Sequence, residues 1–364
     1  MNRREWLAMN GMALSGLAVP ARSGDAQGTV HSFPLRLSLN ENPFGPSSLA
    51  IAAIKNQLGE VCRCSTDGAS VLTQVIVARE DVSMNQIVLG EILEALGLHL
   101  AMNGPAGGEF IYSEPGYTAL VDAVAPGGGV VIGVPLDEHL QNNLPAIAAK
   151  VDRRTRAIYL VNPHNPSGTV SDATTFTTFV SQMSERTTVI VDEAYLEFEP
   201  DFAQRTVAGL TRAGRNVVVF RTFGKIYGLA GTPMGYAIVP TELAISLKRA
   251  GIGVPGTLDR LALAAAVGSL RDMHYVAMVR AKVIAEREEW NTLFDAMRLR
   301  HSDSRGNFVF FETGRPHQDI AAGMHAKGID IGRAFPPLEH WARVSIGLPR
   351  ENAMARAAIA SLLR

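Results

Sequence analysis

Polar side chains that can do chemistry stand where three apolar runs of the sequence end. The runs span residues 157–161, 188–191 and 217–220, and each is rich in β-branched or bulky apolar residues. Short runs of this kind are typical of strands buried on both faces of a parallel sheet. Ligands of open α/β sheets bind beyond the carboxyl ends of such strands. We therefore expect one crevice to hold the polar side chains that follow the runs, Asn165, Asp192, Tyr195 and Lys225.

These residue types suit the chemistry of pyridoxal phosphate. A lysine such as Lys225 can hold the cofactor aldehyde as a Schiff base and shuttle the substrate Cα proton. A carboxylate such as Asp192 favours the protonated pyridine nitrogen, which makes the ring an electron sink. Asn165 and Tyr195 can donate hydrogen bonds to the ring phenolate, and the Tyr117 ring can stack on the cofactor. Two alternatives stay open, in which Asp192 caps the following helix and Tyr117 is a packing residue.

The order of these motifs resembles the fold-type-I pyridoxal-phosphate enzymes, specifically class I/II aminotransferases of the histidinol-phosphate aminotransferase type. The resemblance extends from about residue 37 to the C-terminus. Its motifs are residues 39–46 (Leu-Asn-Glu-Asn-Pro-Phe-Gly-Pro), 162–168, 192–195, 222–225 and 343–347. It implies an α/β fold, in which a large domain with a mostly parallel sheet is followed by a smaller C-terminal α/β domain.

The resemblance also assigns contacts to the substrate and to the cofactor phosphate. It implies that Arg343 clamps the substrate α-carboxylate, which suits the planar fork of a guanidinium group. Arg333 is similar to the arginine that reads the substrate side chain, although an ordinary salt bridge stays open for this residue. Asn42 is implied to belong to the substrate-binding set, and Thr222 to the phosphate contacts.

The departures from the family pattern cluster around the cofactor phosphate. Members usually have a glycine- and serine-rich turn whose amides cradle the phosphate, but here Gly90 leads directly into Glu91. Gly224 stands where serine is common, Pro233 replaces an arginine, and Cys64 replaces a tyrosine that normally reaches across a dimer interface. Each lost charge-assisted hydrogen bond is expected to cost on the order of 1.5–3 kcal/mol of phosphate binding.

Length and composition fit this interpretation. A chain of 364 residues with 47% hydrophobic content can bury a large core, and its formal net charge of −1 argues against a nucleic-acid partner. We predict an N-terminal arm at 27–46, a large cofactor-binding domain at 47–245, and a linking helix with a small domain at 246–364. The two cysteines, Cys62 and Cys64, are interpreted as ordinary thiols; a metal site at this pair is the alternative.

The N-terminus carries a second signal. Arg3 and Arg4 precede a mildly apolar stretch up to Val19, and small residues follow near Ala26. This pattern resembles a twin-arginine export peptide at 1–26 and predicts a periplasmic or otherwise exported protein. A short N-terminal helix on a cytoplasmic protein is the alternative. The apolar stretch is too short and too interrupted for a membrane anchor.

The functional prediction is an aminotransferase that moves an amino group between an amino acid, or a histidinol-phosphate-like amine, and a 2-oxo acid. Two other hypotheses stay open. One is a pyridoxal-phosphate enzyme of another type, such as an oxidase, racemase or lyase, because one scaffold hosts all of these reactions. The other is a degenerate, non-catalytic binding protein. The resemblance also implies a homodimer, although Cys64 casts doubt on one cross-subunit contact.

Overall fold

The computed structural model describes residues 34–364. The predicted export segment at 1–26 and the first part of the predicted arm, 27–33, lie outside the described residues. No helix within residues 34–364 is long and apolar enough to cross a membrane.

Eleven strands and thirteen α-helices are formed within residues 34–364. The strands are β1 (Leu35–Leu37), β2 (Ile87–Leu89), β3 (Glu109–Glu114), β4 (Val130–Pro135), β5 (Thr155–Val161), β6 (Thr188–Asp192), β7 (Val217–Thr222), β8 (Gly235–Ile238), β9 (Phe308–Glu312), β10 (Ile329–Ile331) and β11 (Trp341–Ser345). The helices are α1 (Ser48–Gln57), α2 (Thr66–Glu80), α3 (Leu93–Met102), α4 (Ala119–Asp122), α5 (Leu144–Lys150), α6 (Ala173–Met183), α7 (Phe202–Arg205), α8 (Ala208–Arg212), α9 (Thr241–Arg249), α10 (Arg260–Leu270), α11 (Met273–Met297), α12 (His317–Ala326) and α13 (Pro349–Leu362).

A seven-stranded sheet forms the centre of the described chain. Its strands lie in the order β2-β8-β7-β6-β5-β3-β4. The pairs among β3 to β7 are parallel, and β8 is antiparallel to both of its neighbours. The prediction of a mostly parallel sheet is therefore confirmed, and it brings the carboxyl ends of β5, β6 and β7 side by side.

Apolar clusters cover both faces of this sheet, which explains the continuous apolar runs in the sequence. In β6, Val189 and Val191 belong to one cluster and Ile190 to the other. The same alternation holds in β7, where Val217 and Val219 face away from Val218. Because neither face is wetted, polar residues are displaced to the strand ends, where the predicted site residues lie.

The C-terminal part of the chain has smaller sheets of its own. Strand β9 pairs antiparallel with β11, and β1 pairs in parallel with β10. The second pairing brings the N-terminal arm back to the C-terminal part of the chain. Asn307 strengthens this return, since its side-chain amide donates to the carbonyl oxygens of Asn40 and Glu41. The domain boundary at residues 245/246 stays a prediction.

Candidate active site

A cavity of about 670 Å³ lies beyond the carboxyl ends of β5, β6 and β7. It brings together eight of the nine side chains that the sequence nominated. These are Tyr117, Asn165, Asp192, Tyr195, Thr222, Lys225, Arg333 and Arg343. The convergence expected from parallel-strand topology is therefore present, and β11 and the arm complete the walls.

Asp192, the last residue of β6, is the buried acid of the cavity, with 2% of its surface exposed. Its carboxylate accepts hydrogen bonds from the Tyr159 hydroxyl at 3.1 Å and from the Ala194 amide at 2.9 Å. Burial outweighs these bonds and raises the pKa of this carboxyl group to about 6. The 3₁₀ helix that follows begins after Tyr195 and has no side-chain cap, so the alternative capping role is wrong.

Lys225 lies in the loop after β7, where the arm packs against it. Its Nζ donates to the Leu39 carbonyl oxygen at 3.2 Å and lies 5.6 Å from the centre of the Tyr195 ring. Gly228 permits this packing, because its φ is +73° and a Cβ there would stand 2.2 Å from the Gly45 carbonyl oxygen. The arm and the loop together hold the amine at the cavity.

The Tyr195 hydroxyl is surrounded by side-chain amides. It accepts hydrogen bonds from Nδ2 of Asn40 at 3.1 Å and from Nδ2 of Asn165 at 3.5 Å. The ring packs edge-on against Phe308, with centres 5.2 Å apart. These contacts leave the hydroxyl proton free to donate to a ligand. Tyr117, which lines the same cavity, is 40% exposed, so its ring keeps an open surface on which a ligand can stack.

Arg343 is the buried cation of the cavity, with 7% of its surface exposed. Its Nη1 donates to Oδ1 of Asn165 at 2.6 Å and its Nη2 to the Ser38 carbonyl oxygen at 2.7 Å. The buried Nε has no hydrogen-bond partner among residues 34–364. A buried guanidinium group with an unused donor suits an oxyanion ligand.

Arg333 lies more openly than Arg343. Its guanidinium group is 4.4 Å from the centre of the Phe335 ring, over which Arg343 also lies at 5.0 Å. Its Nη1 donates to the neighbouring Ala334 carbonyl oxygen at 3.1 Å. Within the described part of the chain it forms no salt bridge, so its charge stays available to a ligand.

Thr222 and Glu91 form the other end of the cavity. The Thr222 hydroxyl donates a short hydrogen bond to Oε1 of Glu91 and accepts one from the Gly224 amide at 2.9 Å. Glu91 follows β2 through Gly90, whose φ of +117° favours glycine. Desolvation by the surrounding protein and the negative charge of Asp192 raise the pKa of the Glu91 carboxyl group to about 7. The hydrogen bond from Thr222 acts in the opposite direction and offsets only part of this shift.

A buried ion pair supports the strand ends beneath the site. Arg221, which precedes Thr222, places Nη2 2.9 Å from Oε2 of Glu193, which follows Asp192. Arg221 also bonds Glu80 of α2. Since both members of the Arg221–Glu193 pair are almost fully buried, removal of either one would cost about 3–5 kcal/mol of stability. The pair thus ties the ends of β6 and β7 together.

The residues at one end of the cavity fit the ring and aldehyde of pyridoxal phosphate. An amine, a buried carboxylate and a hydroxyl with a free proton are present in Lys225, Asp192 and Tyr195. At the other end, Thr222 fits a phosphate group only when Glu91 is neutral, because an ionised carboxylate on its hydroxyl repels an anion. The cofactor fits with that one condition.

The structure adds two residues to the predicted site, Glu91 and Asn40, and places a third, Asn42, outside the cavity. In the sequence, Glu91 marks only the end of a shortened turn, although it follows an apolar run as the other site residues do. Asn40 belongs to the arm motif and has no predicted role, yet its side-chain amide donates to the Tyr195 hydroxyl. Asn42 lines a neighbouring pocket instead of this cavity, and its amide donates to the Ile226 carbonyl oxygen at 2.7 Å.

Comparisons with known proteins agree with this geometry. Residues 83–359 match the family described as aminotransferase class I and II. The chain is 32% identical to a histidinol-phosphate aminotransferase of Limosilactobacillus fermentum, covering 90% of this chain and 91% of the relative. It is 31% identical to the enzyme of the same name from Lactiplantibacillus plantarum, covering 87% and 88%.

A solved structure extends the comparison to the fold. The histidinol-phosphate aminotransferase of Sinorhizobium meliloti, solved in complex with pyridoxal-5′-phosphate, superposes with a TM-score of 0.82 at 28% identity, covering 91% of each chain. At the level of the family, the predictions of a fold-type-I architecture, of pyridoxal phosphate as cofactor and of an aminotransferase are confirmed. The chain belongs to the aminotransferase class I and II family.

Proposed function

We propose that this aminotransferase moves an amino group between an anionic amine and a 2-oxo acid, with Lys225 as its reactive amine. The amine is an amino acid or a histidinol-phosphate-like compound. The observation that carries the proposal is the convergence of Lys225, Asp192, Tyr195 and Arg343 on one cavity. Each of these side chains has the charge or the free donor that its role requires.

The cavity residues divide the work of holding the cofactor. When bound, pyridoxal phosphate supplies an aldehyde that condenses with amines and a ring that accepts electrons from the substrate Cα–H bond. Asp192 offers a buried negative charge to a protonated ring nitrogen, and Tyr195 offers a hydrogen bond to a ring oxygen. Tyr117 offers an aromatic face, and the Thr222 hydroxyl can contact the phosphate when Glu91 is neutral.

Lys225 has a second task as a base. A neutral amine on the cavity wall can take the proton from the substrate Cα and hold it for return, which contributes about 10²–10⁴ to the rate. The Leu39 carbonyl oxygen, 3.2 Å from Nζ, keeps the amine from turning out to solvent.

The two arginines support an anionic substrate. Arg343 has an unused buried donor beside the reacting end, and Arg333 stands free of salt bridges within residues 34–364. Both lie over the Phe335 ring, so their positive charges face one region of the cavity. An amino acid with a second anionic group, or an amine that carries a phosphate, would engage both. The names of the relatives in Limosilactobacillus and Lactiplantibacillus favour the phosphate-bearing amine.

The deciding experiment compares the wild type with Lys225→Ala and with Lys248→Ala, a lysine of α9 outside the cavity. We expect pyridoxal phosphate to give a visible absorption band with the wild type and with Lys248→Ala but not with Lys225→Ala. Glutamate should bleach that band with stoichiometric release of 2-oxoglutarate, which separates amino transfer from oxidation or racemisation. Turnover should fall at least about 10³-fold in Lys225→Ala. Full activity in that variant would overturn the proposal.

We also propose that the protein is a homodimer. Exposed apolar side chains support a buried partner surface, since Leu49 on α1, Leu58 just after it and Val61 are 47%, 54% and 59% exposed. Light scattering after size exclusion would give a mass near twice the 39.1 kDa of one chain. Replacing Leu58 and Val61 by aspartate should shift that mass to the monomer; a monomeric wild type would refute the proposal.

We further propose that residues 1–26 direct export through the twin-arginine route. Arg3-Arg4 before an apolar stretch supports this. Fusing residues 1–33 to a reporter that fluoresces only after folded export should give periplasmic signal, and changing both arginines to lysine should abolish it. Cytoplasmic signal from the unchanged fusion would favour a cytoplasmic protein with a short N-terminal helix.

A further inference from the structure

One feature of the cavity is not used by the proposed reaction: the carboxyl group of Glu91. The hydroxyl of Thr222 has one proton to donate, and Glu91 accepts it. The oxygen of the same hydroxyl accepts from the Gly224 amide at 2.9 Å. The residue best placed to bind the cofactor phosphate therefore already has its donor occupied by an anionic side chain of the protein.

The charges around this carboxyl group do not compensate for it. Within residues 34–364, the cations that line the cavity are Lys225, Arg333 and Arg343, and the two arginines lie over Phe335. Lys225 is thus left as the cation for this end, and its amine is committed to the cofactor aldehyde. The cavity lining also includes Leu93 and Ala230, which carry no charge.

The titratable groups that face Glu91 come from four elements. Asp192 at the end of β6 and Glu94 of α3 disfavour its ionised form, and Lys225 in the loop after β7 favours that form. Tyr117, in the loop after β3, is influenced in turn by Glu91 and Asp192. Together with the surrounding protein they raise the pKa of Glu91 to about 7, so the carboxyl group changes charge near neutral pH.

We propose that Glu91 is an anion of the cavity wall that competes with the cofactor phosphate, so that the ionised form of Glu91 removes most of the cavity's preference for phosphorylated over unphosphorylated pyridoxal. The inference rests on the proposed function, because it presumes a lysine-bound pyridoxal. With Glu91 neutral, its carboxyl proton becomes an additional donor toward the phosphate. With Glu91 ionised, the phosphate meets a like charge and an occupied hydroxyl.

The test measures the dissociation constants of pyridoxal phosphate and of pyridoxal by absorption titration at pH 6 and pH 8. The quantity of interest is the ratio of the two affinities. Because both aldehydes use the same lysine, carboxylate and ring contacts, the titration of Lys225 and Asp192 largely cancels in this ratio. The variants are Glu91→Gln and, should the amide perturb folding, Glu91→Ala. Glu94→Gln is the matched control, since it removes the same charge from the adjacent turn of α3.

Glu91 is ionised in a larger fraction of the protein at pH 8 than at pH 6, because its pKa lies near 7. We therefore expect Glu91→Gln to raise the preference for pyridoxal phosphate several-fold over the wild type at pH 8, on the order of the effect of one lost like charge, and by less at pH 6. Glu94→Gln should leave the preference within about twofold. An unchanged preference in both Glu91 variants, or an equal rise in Glu94→Gln, would overturn the inference.

Failure of the proposed function has a different signature. If neither aldehyde gives a band that depends on Lys225, in the wild type or in any Glu91 variant, the aminotransferase proposal fails and the inference fails with it. If the band and the glutamate half-reaction are present and only the phosphate preference ignores Glu91, the proposed function stands and the inference alone is wrong.

Discussion

The two ends of the cavity are built on opposite principles. At the end that would hold the cofactor ring, each polar group is buried with partners that leave it ready for a ligand: Asp192 is oriented by two donors, and Arg343 keeps a free Nε. At the end that would hold the phosphate, Thr222 is already engaged by Glu91. The first end is preorganised for a ligand, and the second carries an anion of its own.

The reacting groups and the phosphate contacts are therefore separable in this fold. The reacting groups come from the end of β6, the loop after β7 and the middle of β11, and the buried core fixes these strands in place. Glu91 lies in the short connection between β2 and α3, where a change of length leaves the core intact. The phosphate end can therefore diverge while the ring end is retained.

Next to Lys225→Ala, Asp192→Asn should have the strongest effect on catalysis at the ring end. Loss of the negative charge should lower turnover roughly 10²-fold or more, because a fixed charge no longer stabilises the protonated ring. The asparagine side chain has nearly the same shape, so we expect cofactor to remain bound. Turnover and the absorption spectrum, measured on the same sample, check both statements.

The same substitution also has a stability signature. Burial raises the pKa of Asp192 from 3.8 to about 6, so the folded cofactor-free protein binds more protons than the unfolded chain between these values. Its stability therefore falls as pH rises from about 4 to about 6 and is level above that. Asp192→Asn lacks this loss and should be more stable than wild type at pH 8, by up to about 3 kcal/mol. Equal denaturant midpoints for wild type and Asp192→Asn at pH 8 would contradict a raised pKa of Asp192 in the folded protein.

The next effect concerns the substrate. Arg343→Ala removes charge-assisted hydrogen bonds worth about 1.5–3 kcal/mol each, so KM for an amino-acid donor should rise roughly 10- to 100-fold while kcat changes little. The matched control is Arg333→Ala, whose more open guanidinium group should matter less for a donor with a single carboxylate. An equal rise in KM in both variants would mean that Arg333 and Arg343 both bind the α-carboxylate of the substrate.

Much of this site could be predicted because its signals are local. The apolar runs before Asp192 and Lys225 reveal buried strands, and parallel topology then places their ends together without further information. The role of Glu91 was not predicted, although it follows a run of the same kind at 87–89. Its hydrogen-bond partner, Thr222, lies 131 residues away, and only the fold shows that the two meet.

The N-terminal arm is a second place where contacts distant in the sequence decide which residue enters the site. Asn40 and Asn42 are separated by one residue in one motif, and the sequence cannot tell which of them faces the cavity. Residues distant in the sequence decide which asparagine faces the cavity. The backbone amide of Asn40 donates to the Ser345 hydroxyl, 305 residues away, and the Asn307 side chain donates to the carbonyl oxygens of Asn40 and Glu41. The pairing of β1 with β10 also fixes the position of the residues that precede Asn40.

The smallest expected effect on catalysis is that of Asn42→Ala, which tests whether the arm has the register seen here. Asn42 bonds the Ile226 carbonyl oxygen at 2.7 Å, next to the loop of Lys225, and its Oδ1 accepts from the Phe44 amide at 3.0 Å. Loss of these bonds should lower the free energy of unfolding by about 1–3 kcal/mol, with KM within about threefold of wild type. Asn40→Ala, two residues earlier, should instead change the absorption band through Tyr195. If Asn42→Ala raised KM as much as Arg343→Ala, Asn42 would have to contact the substrate directly, and the arm would have to shift when substrate binds.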